Sequence, residues 1–221
     1  MEIKTIVNSL VDLFFPMRCL DCQDVIQPSQ FLCVSCSTKL VFTHFNFDQN
    51  NRAYDKLRNF CEVENAFSLL EFKHHNTTQA ILHEMKYRNR PEIGIDLAQM
   101  IKFDLSHYDG IIPIPLHSKR LKTRGYNQVE NFARTLAEIN QINYFSDGLI
   151  RTKYNSSQVN EDKKHRLDNL KDAFEINPNL KPGHYILIDD VLTTGATIAS
   201  AIKKFNLSEN FKISVITIAC A

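Results

Sequence analysis

The chain has 221 residues, of which 43% are hydrophobic, and its formal net charge is +1. This length and composition allow one full α/β core and a small additional module. The near-neutral charge excludes a global field that would attract nucleic acid or anionic lipid, so any site for a polyanion must be local.

Residues 1–16 predict an amphipathic helix that stops near Pro16. Polar residues interrupt its apolar run and no basic segment precedes it, so we expect no signal peptide. No apolar run approaches the roughly 20 residues that span a bilayer. The sequence therefore predicts a cytoplasmic protein without a membrane span.

Four of the six cysteines form two C-x-x-C pairs, Cys19 with Cys22 and Cys33 with Cys36. Each pair can present two thiolates to one metal, and four thiolates complete the tetrahedral shell of a structural Zn²⁺. The alternatives are disulfides or a redox dithiol, but no secretory signal is recognisable and a redox dithiol needs only one pair. Residues 16–40 also hold too few apolar side chains for a core of their own, which favours zinc.

Three units are predicted along the chain. Residues 1–45 hold the N-terminal helix and the zinc module, residues 46–65 form a linker, and residues 66–221 form the main domain. The polar, Asn-rich stretch 43–60 predicts a linker or a loosely ordered arm. Predicted strands cover residues 66–73, 111–114, 184–190 and 211–220, and predicted helices cover residues 76–104, 129–140 and 195–205. This alternation predicts an α/β fold with a doubly wound, mainly parallel sheet.

One segment, "ILIDDVLTTGATI", combines a buried strand, two carboxylates and a turn. Asp189 and Asp190 stand where such sheets bind ligands. Backbone N–H groups and hydroxyls at a helix N-terminus follow, in an environment that suits a phosphate, at Thr193, Thr194, Gly195, Ala196 and Thr197. Carboxylates beside a phosphate require something between them, and ribose hydroxyls with Mg²⁺ nearby meet that requirement. The alternative is a helix cap at Asp190 or Thr194 with a solvated Asp189.

This segment resembles the phosphoribosyl pyrophosphate (PRPP) motif of type I phosphoribosyltransferases. The resemblance implies a type I phosphoribosyltransferase-like domain in which PRPP binds together with Mg²⁺. Asp189 and Asp190 would then contact the ribose hydroxyls as the catalytic pair, and residues 193–197 would hold the 5-phosphate.

Four further parts of the chain are informative: "LHEMKYRNR", "PIPLHSKRLKTRGYNQ", residues 149–174 and the four-cysteine module. In this order, over nearly the whole chain, they are similar to the ComF family, which is also described as competence protein F. One departure is Asn89, which stands where the family pattern has a small residue, usually glycine.

A basic turn follows the strand at 111–114 and places Lys119, Arg120, Lys122 and Arg124 at the same edge of the sheet as the acidic pair. The loop from Pro113 to Arg120 resembles the pyrophosphate loop of the superfamily, and Arg120 and Arg124 are the candidate ligands for the pyrophosphate. The alternatives are a solvated turn and contacts with a DNA backbone, which need only local positive charge.

Residues 151–172 are almost wholly polar and occupy the position of the mobile hood that covers the substrate in type I enzymes. Lys153, Gln158 and Arg166 would then face the pyrophosphate or the acceptor. The alternative is a charged, exposed helix.

Two functions remain open. The ComF resemblance implies an adaptor in DNA uptake that binds PRPP or a related ribose phosphate and engages single-stranded DNA or a competence helicase. The other function is an active transferase that displaces pyrophosphate from PRPP, a step that relies on positioning and charge stabilisation. A transcriptional regulator is less favoured, since no helix-turn-helix is recognisable. Fold alone does not decide among these.

Overall fold

The computed structural model describes residues 16–27, 30–152, 173–206 and 210–221. In chain order the elements are α1 (Val34–Ser37), α2 (Arg52–Arg58), β1 (Ala66–Glu71), α3 (Thr77–Tyr87), α4 (Ile93–Gln99), β2 (Gly110–Pro113), α5 (Ser118–Arg124), α6 (Glu130–Asn140), β3 (Asn143–Tyr144), β4 (Leu149–Arg151), β5 (Phe174–Ile176), β6 (His184–Leu192), α7 (Ala196–Asn206) and β7 (Lys212–Cys220). The helix predicted over residues 1–16 lies, up to residue 15, outside the described residues.

The central sheet has five strands in the order β1-β7-β6-β2-β3, and every neighbouring pair is parallel. Strands β4 and β5 pair with each other as a separate antiparallel ribbon. Among the described residues no helix is both long and apolar enough to cross a membrane.

Helices cover both faces of the sheet, because alternate side chains of each strand point to opposite sides. On β6, Ile186 and Ile188 face a cluster that contains α3, α4 and α6, whereas Tyr185 and Leu187 face a cluster that contains α2 and α7. Burial on both faces explains why the strands are continuous apolar runs in the sequence. The predicted doubly wound parallel fold is confirmed.

The order of the strands places a crevice between the ends of β2 and β6. From β2 the chain continues outward to β3 on one side, and from β6 it continues to β7 on the other. The two connections therefore diverge, and sheets of this kind bind ligands at such a switch point, beyond the carboxyl ends of the strands.

The cysteine segment packs on the same core as α3. Cys19, Phe31, Leu32 and Cys36 are buried in the cluster that contains the apolar residues of α3. The Thr77 hydroxyl, at the start of α3, adds a hydrogen bond to the Asp21 carboxylate at 3.2 Å. The module is thus continuous with the main core, and the predicted division at residue 45 stays a prediction.

The stretch 43–60 is not a loosely ordered arm, because it contains α2. Asn51 is 7% exposed; its side chain accepts a hydrogen bond from the Tyr54 N–H and donates to the Ala66 carbonyl at 2.8 Å. Ala53 and Leu57 are fully buried against the sheet. The asparagines that indicated a loop include a helix cap, since the same side chain serves turns and N-caps equally well.

Candidate functional site

The acidic pair lies near the end of β6, at the switch point. The last paired residues of β2 and β6 are Pro113 and Ile188, whereas β6 remains paired with β7 as far as Leu192. Asp189 and Asp190 therefore emerge where one neighbouring strand has ended and the other continues. The strand extends two residues beyond its predicted end, and both carboxylates lie within it.

Asp190 is almost completely buried, with 8% of its surface exposed. Its Oδ2 atom contacts Nζ of Lys86 at 2.7 Å and accepts a hydrogen bond from Nε2 of Gln128 at 2.9 Å. Its Oδ1 atom accepts from the Val191 N–H at 2.7 Å. Both oxygens are thus engaged, and the carboxylate is compensated by a cation, as a buried charge requires.

Asp189 is half-buried and has fewer partners. Its Oδ1 atom accepts a hydrogen bond from the Asp190 N–H at 2.8 Å. Burial and the neighbouring charge of Asp190 raise the pKa of Asp189 to about 8, although Lys86 opposes the shift. A second negative charge beside Asp190 is therefore unfavourable at this position.

The turn after β6 leads directly into α7. Gly195 has φ +80°, a conformation that glycine adopts without strain, and a Cβ atom there would lie 3.0 Å from Cδ2 of Leu57. Nζ of Lys56 donates to the Thr193 carbonyl at 2.9 Å. Helix α2 therefore supports this turn, a role that its sequence did not suggest.

The same turn borders a hollow of about 40 Å³, which residues 193–198 line together with Asp189 and Val191. The start of α7 supplies N–H groups and a positive dipole end there. The Ala196 N–H donates to the Thr194 hydroxyl at 3.4 Å, so Thr194 makes a weak cap contact as well. The structure thus brings all five predicted phosphate-loop residues to one place beside Asp189.

A larger basic cleft, of about 470 Å³, adjoins the acidic pair. Its walls are formed by Lys86, Tyr87, Asn89, Lys119, Arg120, Thr123, Arg124 and Tyr126. Arg120 and Arg124 therefore share one cleft, whereas Lys122 does not line it. Four cations line this one concave surface, so the positive charge of a nearly neutral protein is concentrated here.

Hydrogen bonds connect this cleft with the acidic pair. Nη1 of Arg124 donates to Oε1 of Gln128 at 2.8 Å, and Gln128 in turn donates to Asp190. The Arg124 guanidinium also lies 5.0 Å from the centre of the Tyr87 ring. Lys86 completes the connection, because it lines the cleft and contacts Asp190.

Two turns depend on left-handed backbone. Gly125 has φ +80° and ends α5, with its N–H bonded to the Leu121 carbonyl at 2.7 Å. Asn89 has φ +54°, which explains why the resemblance leads one to expect glycine there. Asparagine is among the few other residues that adopt this conformation readily, so the departure keeps the turn.

Three residues of the site were not assigned a role from the sequence: Lys86, Gln128 and Arg151. Nη1 of Arg151 donates to the Pro115 carbonyl at 3.4 Å. Burial and the charge of Arg120 lower the pKa of Arg151, and the charge of Asp189 opposes this. Of the other assigned residues, Lys153 and Arg166 lie outside the described residues, as does most of the predicted hood.

The second candidate site is the four-cysteine cluster, whose Sγ atoms all lie within 4.8 Å of one another. The Sγ atoms of Cys22 and Cys33 are 3.6 Å apart, close to the roughly 3.8 Å that tetrahedral Zn–S bonds of about 2.3 Å imply. The Cys36 N–H donates to Sγ of Cys33 at 3.4 Å, which orients that ligand. These residues can hold one metal ion such as zinc.

A cation and backbone donors compensate the charge of the thiolates. Nζ of Lys39 lies 3.7 Å from Sγ of Cys36 and 3.6 Å from Oδ2 of Asp21. Burial opposes ionisation of Cys19, but backbone N–H groups, including that of Cys22, outweigh it and lower its pKa to about 6. Thiolates are the form that binds metal, and the four cysteines differ in this respect, because burial and the neighbouring Cys33 thiol raise the pKa of Cys36.

Fold and site thus define a doubly wound α/β protein with an acidic pair, a phosphate-type loop and a basic cleft at its switch point. No family model matches the chain. The DNA utilization protein YhgH of Escherichia coli O157:H7 is 25% identical over 193 residues, which cover 82% of this chain and 80% of that protein. Competence protein F of Haemophilus influenzae is 29% identical over 144 residues, which cover 58% of this chain and 63% of that protein. The homologues thus confirm the resemblance to the ComF family.

Coverage differs among the relatives. The Shigella flexneri protein named DNA utilization protein YhgH is 29% identical over 128 residues, and the match spans 56% of its length. Among solved structures, the glutamine PRPP amidotransferase from B. subtilis aligns with 62% of this chain and 30% of its own, at 16% identity and a TM-score of 0.42. The orotate phosphoribosyltransferase from Aeropyrum pernix aligns with 69% of this chain and 80% of its own, at 13% identity and a TM-score of 0.35.

Proposed function

We propose that this chain is a cytoplasmic protein that binds PRPP or a related ribose phosphate and acts as an adaptor in DNA uptake. One observation carries the proposal: the acidic pair connects the loop at 193–197 with the basic cleft, because Asp189 lines the hollow beside the loop and Asp190 contacts Lys86, which lines the cleft. Each of the three parts suits one part of PRPP.

The ligand would lie across the crevice. Asp189 would accept hydrogen bonds from the ribose hydroxyls, which would stabilise its charged form. The N–H groups and hydroxyls at 193–197 would hold the 5-phosphate at the start of α7. Arg120 and Arg124 would receive the pyrophosphate, because guanidinium groups bind phosphate oxygens in pairs.

Mg²⁺ fits this arrangement as a companion of the ligand. Hard oxygen donors suit the ion, and Asp189 offers one carboxylate. Asp190 does not offer a second, because Lys86, Gln128 and the Val191 N–H already engage its oxygens. The ligand's own phosphate oxygens and Asp189 would therefore hold the ion, whose role would be to neutralise the pyrophosphate.

We also propose a structural zinc ion at Cys19, Cys22, Cys33 and Cys36. The charge of four thiolates exceeds that of the ion, and Lys39 would offset part of the surplus. The site has no position left for a reacting water, so its role would be to hold the module in shape.

The link to DNA draws on the names of the relatives, which refer to DNA utilization and to competence. The basic cleft or the cysteine module would engage single-stranded DNA or a competence helicase. Four cations around the cleft support contact with a phosphate backbone, because such contacts need local positive charge and no base recognition.

An active phosphoribosyltransferase is the second candidate. The basic cleft favours this function, because its volume of about 470 Å³ is much larger than the 40 Å³ of the hollow beside residues 193–198. The walls of the cleft also carry the rings of Tyr87 and Tyr126, which could face a planar acceptor. Displacement of pyrophosphate requires charge stabilisation, which Arg120 and Arg124 would supply, and no covalent nucleophile.

One experiment separates the two functions. PRPP binding is measured by calorimetry with Mg²⁺ present, and pyrophosphate release is then followed across a panel of bases and amines. The adaptor predicts binding without release, whereas the transferase predicts release with one acceptor. Absence of binding for both PRPP and ribose 5-phosphate would refute the proposed function.

A further inference from the structure

Lys86 stands at the junction of the acidic pair and the basic cleft. It lies in the last turn of α3, and its Nζ atom is 2.7 Å from Oδ2 of Asp190. Only 24% of its side chain is exposed, and it forms part of the cleft wall. The cation therefore touches the carboxylate on one side and the proposed anion site on the other.

Neighbouring contacts fix this position. The Tyr126 hydroxyl donates to the Met85 carbonyl at 2.5 Å, which ties the last turn of α3 to the chain that follows α5. Gln128 is 3% exposed and donates to the same oxygen of Asp190 that Lys86 contacts. Since Arg124 donates to the other end of this amide, Gln128 cannot reverse without losing both contacts.

A divalent ion held by both Asp189 and Asp190 would need Oδ2 of Asp190, which Lys86 already contacts. Oδ2 of Asp190 already receives two donors, and Oδ1 receives the Val191 N–H. An ammonium group donates up to three hydrogen bonds, so its contact with Asp190 leaves donors for an anion in the cleft. Lys86 thus has the position and the charge to bridge carboxylate and anion.

We propose that Lys86 is the resident cation of the acidic pair, where it takes the place of a divalent ion between Asp190 and the anion bound in the cleft. The inference rests on the proposed function for the nature of that anion. It assigns the two carboxylates different tasks: Asp190 holds Lys86, and Asp189 remains for the ribose hydroxyls. Binding of the anion in the cleft then needs no divalent ion at Asp190, and the Mg²⁺ that accompanies the ligand is held by Asp189 and the ligand's own oxygens.

The first test uses no organic ligand. Binding of Mn²⁺ to the full chain is measured by electron paramagnetic resonance for the wild type, Lys86→Met and Lys86→Arg. We expect Lys86→Met to gain one Mn²⁺ site that the other two lack, because the freed Asp190 oxygen then joins Asp189. Equal Mn²⁺ binding by the wild type and Lys86→Met would overturn the inference.

The second test uses inorganic pyrophosphate, titrated by calorimetry in EDTA and again in Mg²⁺. In EDTA, Lys86→Met should bind about ten- to a hundredfold more weakly than the wild type, the range for one charge-assisted hydrogen bond. Mg²⁺ should restore most of the loss, and Lys86→Arg should retain binding. Lys102→Met is the matched control, since Lys102 is exposed on the segment that leads into β2. Unchanged affinity of Lys86→Met in EDTA would overturn the inference.

A double variant controls for the possibility that Lys86→Met misfolds. Lys86→Met alone leaves Asp190 uncompensated, whereas Lys86→Met combined with Asp190→Asn does not. The double variant should also lose pyrophosphate binding in EDTA, but it should gain no Mn²⁺ site. If the wild type binds neither pyrophosphate nor any ribose phosphate, the proposed function fails, and the Mn²⁺ comparison alone decides the role of Lys86.

Discussion

Leu57 packs directly against Gly195: a Cβ atom placed on the glycine would lie 3.0 Å from Cδ2 of the leucine. Leu57 itself is fully buried in α2. The turn that we propose as the phosphate loop is therefore shaped from behind by a helix that lies more than a hundred residues earlier in the chain. This contact makes the two elements interdependent.

Gly195→Ala should reduce both stability and phosphate binding. The substitution adds left-handed strain, about 1–2 kcal/mol for a non-glycine residue, and it forces Leu57 away. Gly125→Ala is the matched control, because Gly125 also has φ +80° but nothing lies within 4 Å of its added Cβ. Chemical denaturation and phosphate titration should show the larger loss at Gly195. Equal losses would mean that Leu57 does not shape the loop.

Cys33→Ser should abolish bound metal. Purified wild-type chain should carry about one zinc ion, measured by mass spectrometry of the metal content. Cys61→Ser should leave that content unchanged, since Cys61 is not part of the four-cysteine cluster. Because Cys19 and Cys36 are buried in the core that contains α3, loss of metal should also lower the melting temperature. A Cys33→Ser variant with full metal content would contradict the zinc site.

Stability should depend on pH through Asp189. The pKa of Asp189 in the folded protein is raised to about 8, whereas its ordinary value is about 3.9. The contribution of this carboxyl group to stability is therefore fully present below the ordinary pKa, and it is lost as the pH rises through the pKa of the folded protein. Asp189→Asn removes this loss, and its advantage in unfolding free energy over the wild type should grow between pH 5 and pH 9. A one-unit pKa shift corresponds to about 1.4 kcal/mol.

Asp147→Asn, at an exposed position, is the control. If the difference in unfolding free energy between Asp189→Asn and the wild type were the same at every pH, the raised pKa would be contradicted.

Any DNA binding should depend on the basic cleft. Neutralising Lys119, Arg120 and Arg124 together should weaken binding to a single-stranded oligonucleotide and make its salt dependence shallower, because fewer counterions are released. Lys122→Met is the single-site control, since Lys122 lies outside the cleft wall. Fluorescence anisotropy at several salt concentrations measures both effects. An unchanged salt slope for the triple variant would place DNA elsewhere.

The sequence predicts the local parts of the site well. Strand β6, the acidic pair and the turn into α7 are contiguous, so their apolar run and turn residues indicate the arrangement directly. The four cysteines come together for the same reason, because two tight pairs need only one reversal of the chain. The parallel sheet follows from the alternation of strands and helices.

Contacts between distant segments were not predicted. Lys86 reaches Asp190 across more than a hundred residues, and the spacing of apolar residues in α3 does not indicate that its one lysine contacts a distant carboxylate. Helix α2 was overlooked because Asn51 signals a loop in sequence but is buried as a cap in the structure. The predicted domain boundaries and the hood with Lys153 and Arg166 stay predictions.

Calorimetry of Mg-PRPP with the wild type and with Asp189→Asn tests the central claim most directly. If Asp189 receives the ribose hydroxyls, the variant should lose about 1.5–3 kcal/mol of binding free energy for each charge-assisted hydrogen bond removed. Thr194→Val should weaken binding independently, because it removes a hydroxyl of the phosphate loop while nearly preserving volume. The melting temperature of Asp189→Asn should be unchanged or higher. Unchanged affinity together with a lower melting temperature would show that the carboxylate only stabilises the fold, and it would contradict a ribose phosphate site at this crevice.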